Sequence, residues 1–244
     1  MYFKKKAAAA GGGGTGNITY FASASAPADN GSDVGPTNTI TPPGSMAEGD
    51  LVVVICNYRE FNVDRNITVA VDGGQAWTSE TIIRNAASEV QTARLFWCRY
   101  DGTWDANPQF TVTTGTSNFT ATMHVFRSSV SSNTWAVDVA QVAAGYAAPS
   151  TPFDVTITGI STNTDGAIVI AYWCGASLNT WTLQTGGWAN AGTVQYRNNT
   201  PSNQSASTAY KVMASHGASG DVVNRQNTLQ DDGATIIIAF KAVP

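Results

Sequence analysis

The chain has 244 residues, a formal net charge of −4 and only 12% charged residues, where globular proteins carry about 25%. Aromatic residues at 10% beside so small a net charge exclude a disordered polymer. The 13 lysines and arginines leave no basic stripe beyond Lys4–Lys6, and no run approaches the ~18 apolar residues of a membrane helix, so neither nucleic acid nor a membrane is expected as a partner.

Met1 to Gly16 reads as an extended arm. Tyr2, Phe3, Lys4, Lys5 and Lys6 precede Ala7–Ala10 and Gly11–Gly14, a segment with too little apolar surface to fold alone. Its basic start lacks the apolar stretch of a signal peptide. The glycine run lacks the Gly-Lys-Ser/Thr ending of a phosphate loop. A segment of this kind is ordered only when tied down, and a neighbouring subunit is the expected holder.

Residues 17–244 read as one all-β domain. Asn17–Ser25 is a strand, a polar loop follows, and Thr37–Thr41 is a short strand before the turn Pro42-Pro43-Gly44. Leu51–Tyr58 (LVVVICNY) is a near-continuous apolar run, β-branched and flanked by turn residues, hence a central strand. Ile67–Val71, the turn Asp72-Gly73-Gly74, the anchor Trp77 and a strand over Ser79–Ala86 come next. LFWCRY (Leu95–Tyr100), the loop Asp101-Gly102-Thr103-Trp104-Asp105 and the apolar strand ending at Phe126-Arg127 close the first half.

The second half repeats this order. Ala167–Cys174 (AIVIAYWC) answers the central strand, Trp181, Trp188 and Thr193–Arg197 follow, TAYKVM answers LFWCRY, and Phe240-Lys241 answers Phe126-Arg127. The seam between halves is placed at Gly145–Pro152. No segment carries a sustained helical stripe with caps. Strands at turn-punctuated spacing argue a sandwich, and eight core strands in two similar halves fit a jelly roll that places each half in both sheets. The expected fold is therefore an all-β jelly-roll β-sandwich built from two pseudo-repeated halves, with an N-terminal arm.

Chemistry-bearing residues are few. Cys56, Cys98 and Cys174 lie in apolar strand patterns and read as buried free thiols. His124 falls where the other copy has Ile238, which marks it as a packed strand residue, and His216 sits in a polar loop. No nucleophile elbow of the Gly-x-Ser-x-Gly type occurs. Asp beside Gly is turn chemistry first, so Asp231-Asp232-Gly233 reads as a turn. Asp101 and Asp105 are the candidate calcium ligands, set against the six to eight oxygens that calcium requires. A glycosidase would need Asp101, Asp105 or Glu80 facing one another across a cleft. No catalytic residue, metal or cofactor is assigned. Trp104, Trp181 and Trp188, in or near loops, are the candidate aromatics for stacking on a glycan or packing against a subunit.

The paired stretches TITPPGSMAEGDLVVVICNY, GQAWTSE and ATMHVFR, then VTITGISTNTDGAIVIAYWC, GGWANAG and GATIIIAFK, resemble a jelly-roll family frequent in bacteriophage virion proteins and some bacterial surface proteins. The resemblance covers about Thr37 to Val243. It implies a non-enzymatic, homo-oligomeric virion protein, foremost a capsid decoration or cement protein whose partners are the major capsid protein or tail proteins. A tail, collar or fibre component, or a carbohydrate-binding module for host adsorption, is the alternative. The arm, with Tyr2 to Lys6, would be this chain's own docking device, and Trp104, Trp181 or Trp188 would carry any glycan.

Overall fold

The computed structural model describes residues 17–26, 36–59, 65–85, 91–113, 118–130, 134–147, 150, 152–192, 196–198, 204–228 and 232–243. The arm, including Tyr2, Phe3, Lys4, Lys5 and Lys6, lies outside the described residues. The first half holds β1 (Ile18–Ala26), β2 (Thr37–Thr39), β3 (Leu51–Arg59), β4 (Ile67–Val71), β5 (Thr78–Ser79), β6 (Ile83–Asn85), β7 (Gln91–Arg99), β8 (Gln109–Val112) and β9 (Asn118–Ser128). The second holds β10 (Thr134–Tyr146), β11 (Phe153–Ile157), β12 (Ser161–Thr162), β13 (Ile168–Gly175), β14 (Trp181–Leu183), β15 (Ala189–Asn190), β16 (Tyr196–Asn198), β17 (Gln204–Val212), β18 (Gly217–Ala218), β19 (Val222–Gln226) and β20 (Gly233–Val243). Every element among the described residues is a strand, and every pairing is antiparallel. The protein is an all-β sandwich, as its turn spacing predicts.

The duplication is visible in the ladder. One large sheet runs β1-β9-β3-β7-β5, with β6 also on β7; the other runs β10-β20-β13-β17-β15, with β16 also on β17. The small sheets correspond too, β2-β8-β4 and β11-β19-β14. Each half therefore winds its own two-layer sandwich of one large and one small sheet. That corrects the expectation of a single roll with each half in both sheets. It also moves the seam: β10 pairs with β20 and stands where β1 stands, so the break falls between Ser128 and Thr134, ahead of Gly145–Pro152. The bulges at Val137/Val139 and Val139/Val142 broke the alternation in β10 that would have matched it to β1 by eye.

Four layers result: small sheet, large sheet, large sheet, small sheet. A sheet buried on one face shows alternation, whereas one buried on both faces reads as a continuous apolar run. In β3, Leu51, Val53 and Ile55 enter the core between the two large sheets. Val52, Val54 and Cys56 enter the core of the first half. In β13, Ile168, Ile170 and Tyr172 face the shared core, while Val169, Ala171 and Trp173 face that of the second half. The two apolar runs are thus the middle strands of the two inner layers. Cys56, Cys98 and Cys174 are buried free thiols, and burial pushes all three upward, Cys174 to about 12.

The large sheets meet like the two subunits of a symmetric dimer, where a contact made one way is repeated the other way. Aligning the ladders pairs Trp97 with Tyr210 and Phe126 with Phe240. Across the interface Trp97 packs edge-on against Phe240 at 5.3 Å, and Tyr210 against Phe126 at 5.7 Å. Gln91 and Gln204 are likewise equivalent. Gln204 accepts from Asn57 Nδ2 at 2.9 Å, and Gln91 lies against Cys174 at the equivalent place. Asn57 Oδ1 also accepts from Thr120 and Tyr172, at 2.5 and 2.6 Å. The edge of β10 is covered by the first half, where Asn85 Nδ2 donates to Tyr146 O and Gln141 Nε2 to Thr81 O. The reciprocal edge, β1, has Ser23 and Tyr20 set against Gly192 of the second half.

Candidate functional site

The loops at one end of the first half bring together three of the residues that the sequence singles out, Asp101, Trp104 and Asp105. Asp72 Oδ1 accepts from Gly74 N at 3.0 Å, which closes the turn after β4. Gly73 and Gly74 adopt φ of +68° and +86°, open to glycine without strain. A Cβ on Gly73 would come within 2.6 Å of Ala106 O and 2.8 Å of the Trp104 ring, so only glycine lets the two loops close on each other. Asp105 N donates to Gly73 O at 3.0 Å, and the Asp105 carboxylate lies against Gly74.

Gln75 fixes this assembly. Only 4% exposed, it donates from Nε2 to Asp101 Oδ1 at 2.9 Å and to Thr103 O at 2.7 Å, while its Oε1 accepts from Asp101 N at 3.0 Å. The bond from Gln75, followed by that from Thr103 N, holds the Asp101 carboxyl below the usual carboxylate range. Asp101 is thus a loop staple, and one of its oxygens already serves two donors. Asp101 and Asp105 attach to different parts of the loop, and among the described residues no group of three or more His, Cys, Asp or Glu side chains is placed to hold a metal ion. Glu80 stands elsewhere, accepting from Trp97 Nε1 at 2.9 Å.

Trp104 is the middle ring of a stack, 5.3 Å from Tyr100 and 6.3 Å from Trp77. It is partly buried against the core of the first half and serves as a packing residue. Trp181 and Trp188 are 3% and 8% exposed and belong to the core of the second half. Trp181 Nε1 donates to Ser205 Oγ at 3.0 Å, and Lys211 Nζ stands 6.0 Å from the centroid of Trp188. The rings expected at the surface are thus largely spent on packing.

The aromatic that sequence reasoning treated only as an anchor is the one beside open space. Trp77 is half-buried, edge-on to Phe110 at 5.3 Å, and its Nε1 donates to Asp72 O at 2.8 Å. With Val69, Ala70, Asp72, Gln75 and Ala76 it lines an open groove of about 400 Å³. The signal for it was in the repeat: DGGQAW in the first half against TGGW in the second, two residues longer.

The remaining titratable groups bind the fold. Asp50, 1% exposed, receives both Arg127 Nε and Nη2 at 2.8 Å and Ala47 N at 2.9 Å. Its carboxylate raises the pKa of Arg127. In the second half the base is Lys241, 3.5 Å from Asp138, whose carboxylate also takes Asn163 N at 2.7 Å and Thr164 Oγ1 at 2.6 Å. His124 is fully buried, and desolvation lowers its pKa to about 4. His216 pairs with Asp165 at 2.7 Å on an exposed loop, its backbone N–H and ring both holding that carboxyl below its usual range. Compared with protein-family models, curated proteins and solved structures, the chain matches none.

Proposed function

We propose that the protein is a non-enzymatic structural component of a bacteriophage virion, foremost a capsid decoration protein on the particle exterior, held there by the arm Met1–Gly16. The observation that carries this reading is the use made of the reactive side chains. Asp50, Asp101, Asp138 and Glu80 are engaged by Arg127, Gln75, Asn163 and Trp97, and the two halves cover each other's sheet edges. Acids spent on loop closure and edges spent on mutual capping make a rigid block, which is what a particle surface requires of a bound subunit. Low charge suits close association with neighbouring copies or a capsid lattice. The basic residues Lys4–Lys6 give the arm a charge to set against an acidic neighbour.

The test is to mix the purified chain, with and without Met1–Gly16, with particles that lack it and to measure occupancy. The full chain is expected to saturate the particles, and the truncated chain to stay folded and unbound. Normal occupancy by the truncated protein refutes the role of the arm. Binding confined to tails moves the protein from the head to the tail or collar, and no binding to any particle ends the virion reading.

A further inference from the structure

The two halves share one strand order in their inner layers, so a difference at equivalent positions needs its own explanation. Thr78 and Ser79 pair with Trp97 and Phe96, while Ala189 and Asn190 pair with Tyr210 and Ala209. This register makes Trp77 the counterpart of Trp188. In the second half Gly186-Gly187 leads directly to that tryptophan, which is buried, and the Lys211 ammonium reaches past it to Ser219 O at 2.7 Å. In the first half Gln75 and Ala76 are inserted, and the position of Lys211 is taken by the buried Cys98. The insertion therefore puts Gln75 and Ala76 at the wall of the groove, where the second half runs from Gly187 straight into the buried Trp188.

We propose that this groove, between β4 and the Asp72–Trp77 loop, binds a neutral or amino hexopyranose unit of a glycan. Its volume of about 400 Å³ falls at the lower end of ligand sites, which run from about 300 to 1,000 Å³. A pyranose has a C–H face and a rim of hydroxyl donors. The groove offers an indole wall at Trp77 and, next to it, the exposed carboxylate of Asp72. The lining is fixed in advance: the indole N–H is anchored on Asp72 O, Asp72 Oδ1 accepts from Gly74 N, and Gln75 is held by three hydrogen bonds to Asp101 and Thr103. A rigid site pays less to order itself on binding. Asp72, Asp101 and Asp105 surround the loop with negative charge, which disfavours phosphate, sulfate or carboxylate on the ligand and accepts hydroxyl or ammonium donors. This site is independent of the arm, and deleting Met1–Gly16 leaves it intact.

The experiment titrates the intact protein with the methyl glycosides of glucose, galactose, mannose, N-acetylglucosamine and glucosamine, followed by tryptophan fluorescence and ligand-observed NMR, with sialyllactose as the anionic control. At least one of the five is expected to saturate. Ala76→Phe, an exposed position that fills the groove without touching the core, should abolish that binding. Asp72→Asn should weaken it about tenfold, the loss expected for one charge-assisted hydrogen bond. Asn190→Phe, at the second half's β15, should change nothing. Circular dichroism checks each fold, and if Ala76→Phe fails to fold, Asp72→Asn decides. Absence of saturation by all five, binding undiminished by a folded Ala76→Phe, undiminished binding in Asp72→Asn, or a preference for sialyllactose overturns the proposal.

Discussion

The first half ties its terminal base to its own central strand: Arg127 on β9 meets Asp50 at the start of β3. The second half has an aspartate in the matching turn, Asp165, yet it turns outward to His216, and Lys241 on β20 reaches instead toward Asp138 on β10. The aromatic-then-base ending is kept in both, while the acid that answers the base comes from a different strand. The same division recurs elsewhere. Some positions facing the shared core keep their residue class, as with Leu51 and Ile168 or Phe126 and Phe240, while others change it, as with His124 and Ile238 or Thr122 and Ile236. Positions at the ends of the sandwich diverge, as with Trp77 and Trp188. The same ladder therefore carries different side-chain partners in its two copies.

Exchanging residues between equivalent positions probes this division, and the largest effect should come from Gly233. Its counterpart by register is Phe119, fully buried in the core of the first half. At Gly233 a Cβ would lie 1.9 Å from Cys174 O and 2.3 Å from the Tyr146 hydroxyl. Gly233→Phe is expected to cost about 4 kcal/mol or more, because the obstacle includes backbone that cannot yield. A urea midpoint within error of the parent would show that the two halves tolerate the same residue there.

Arg127→Ala and Lys241→Ala form the next comparison. Removing Arg127 strands the buried Asp50, at an expected cost of about 3–5 kcal/mol. Removing Lys241 leaves Asp138 with Asn163 and Thr164 still donating, so the expected cost is about 1–2 kcal/mol. Equal losses in denaturant unfolding would overturn this account of the two ion pairs.

His124→Ile installs the residue of the other copy. Desolvation holds the imidazole at a pKa of about 4, against an ordinary value of 6.5. Below pH 6.5 the unfolded chain takes up a proton that the folded chain refuses, so stability falls from pH 6.5 down to about 4. Over that window the loss is about 3 kcal/mol. The isoleucine variant should lose this part of the acid sensitivity and also gain stability at pH 7, where neither ring nitrogen of His124 has a partner among the described residues. An unchanged pH profile by calorimetry would refute the burial of this histidine. The smallest effect is expected from Trp97→Tyr, which imports Tyr210. The edge-on contact with Phe240 survives and only the bond to Glu80 is lost, so the cost should stay below about 1.5 kcal/mol.

Much of this was legible before any coordinates. The pairings of LFWCRY with TAYKVM and of His124 with Ile238 are the pairings of the ladder, because both follow from apolar patterns carried by central strands. The seam and the layer count were not legible. β10 is a bulged edge strand with a half-polar face, and its tie to β20 is a contact distant in sequence. The candidate aromatics suffered the same limit. Trp104, Trp181 and Trp188 share loop contexts with Trp77, and nothing local to a tryptophan tells which neighbours will cover its faces.

The sequence by itself determined an all-β chain, two copies of one strand order and the inner faces of the central strands. A continuous apolar run of β-branched residues has few places to go except between two sheets. Only the tertiary structure decided that each copy closes its own sandwich, that the copies interlock with reciprocal contacts, and that Gln75 and Ala76 before Trp77 line a groove. Those outcomes depend on which strand edges and ring faces meet across the molecule, and that is fixed by long-range burial and shape, not by neighbours along the chain.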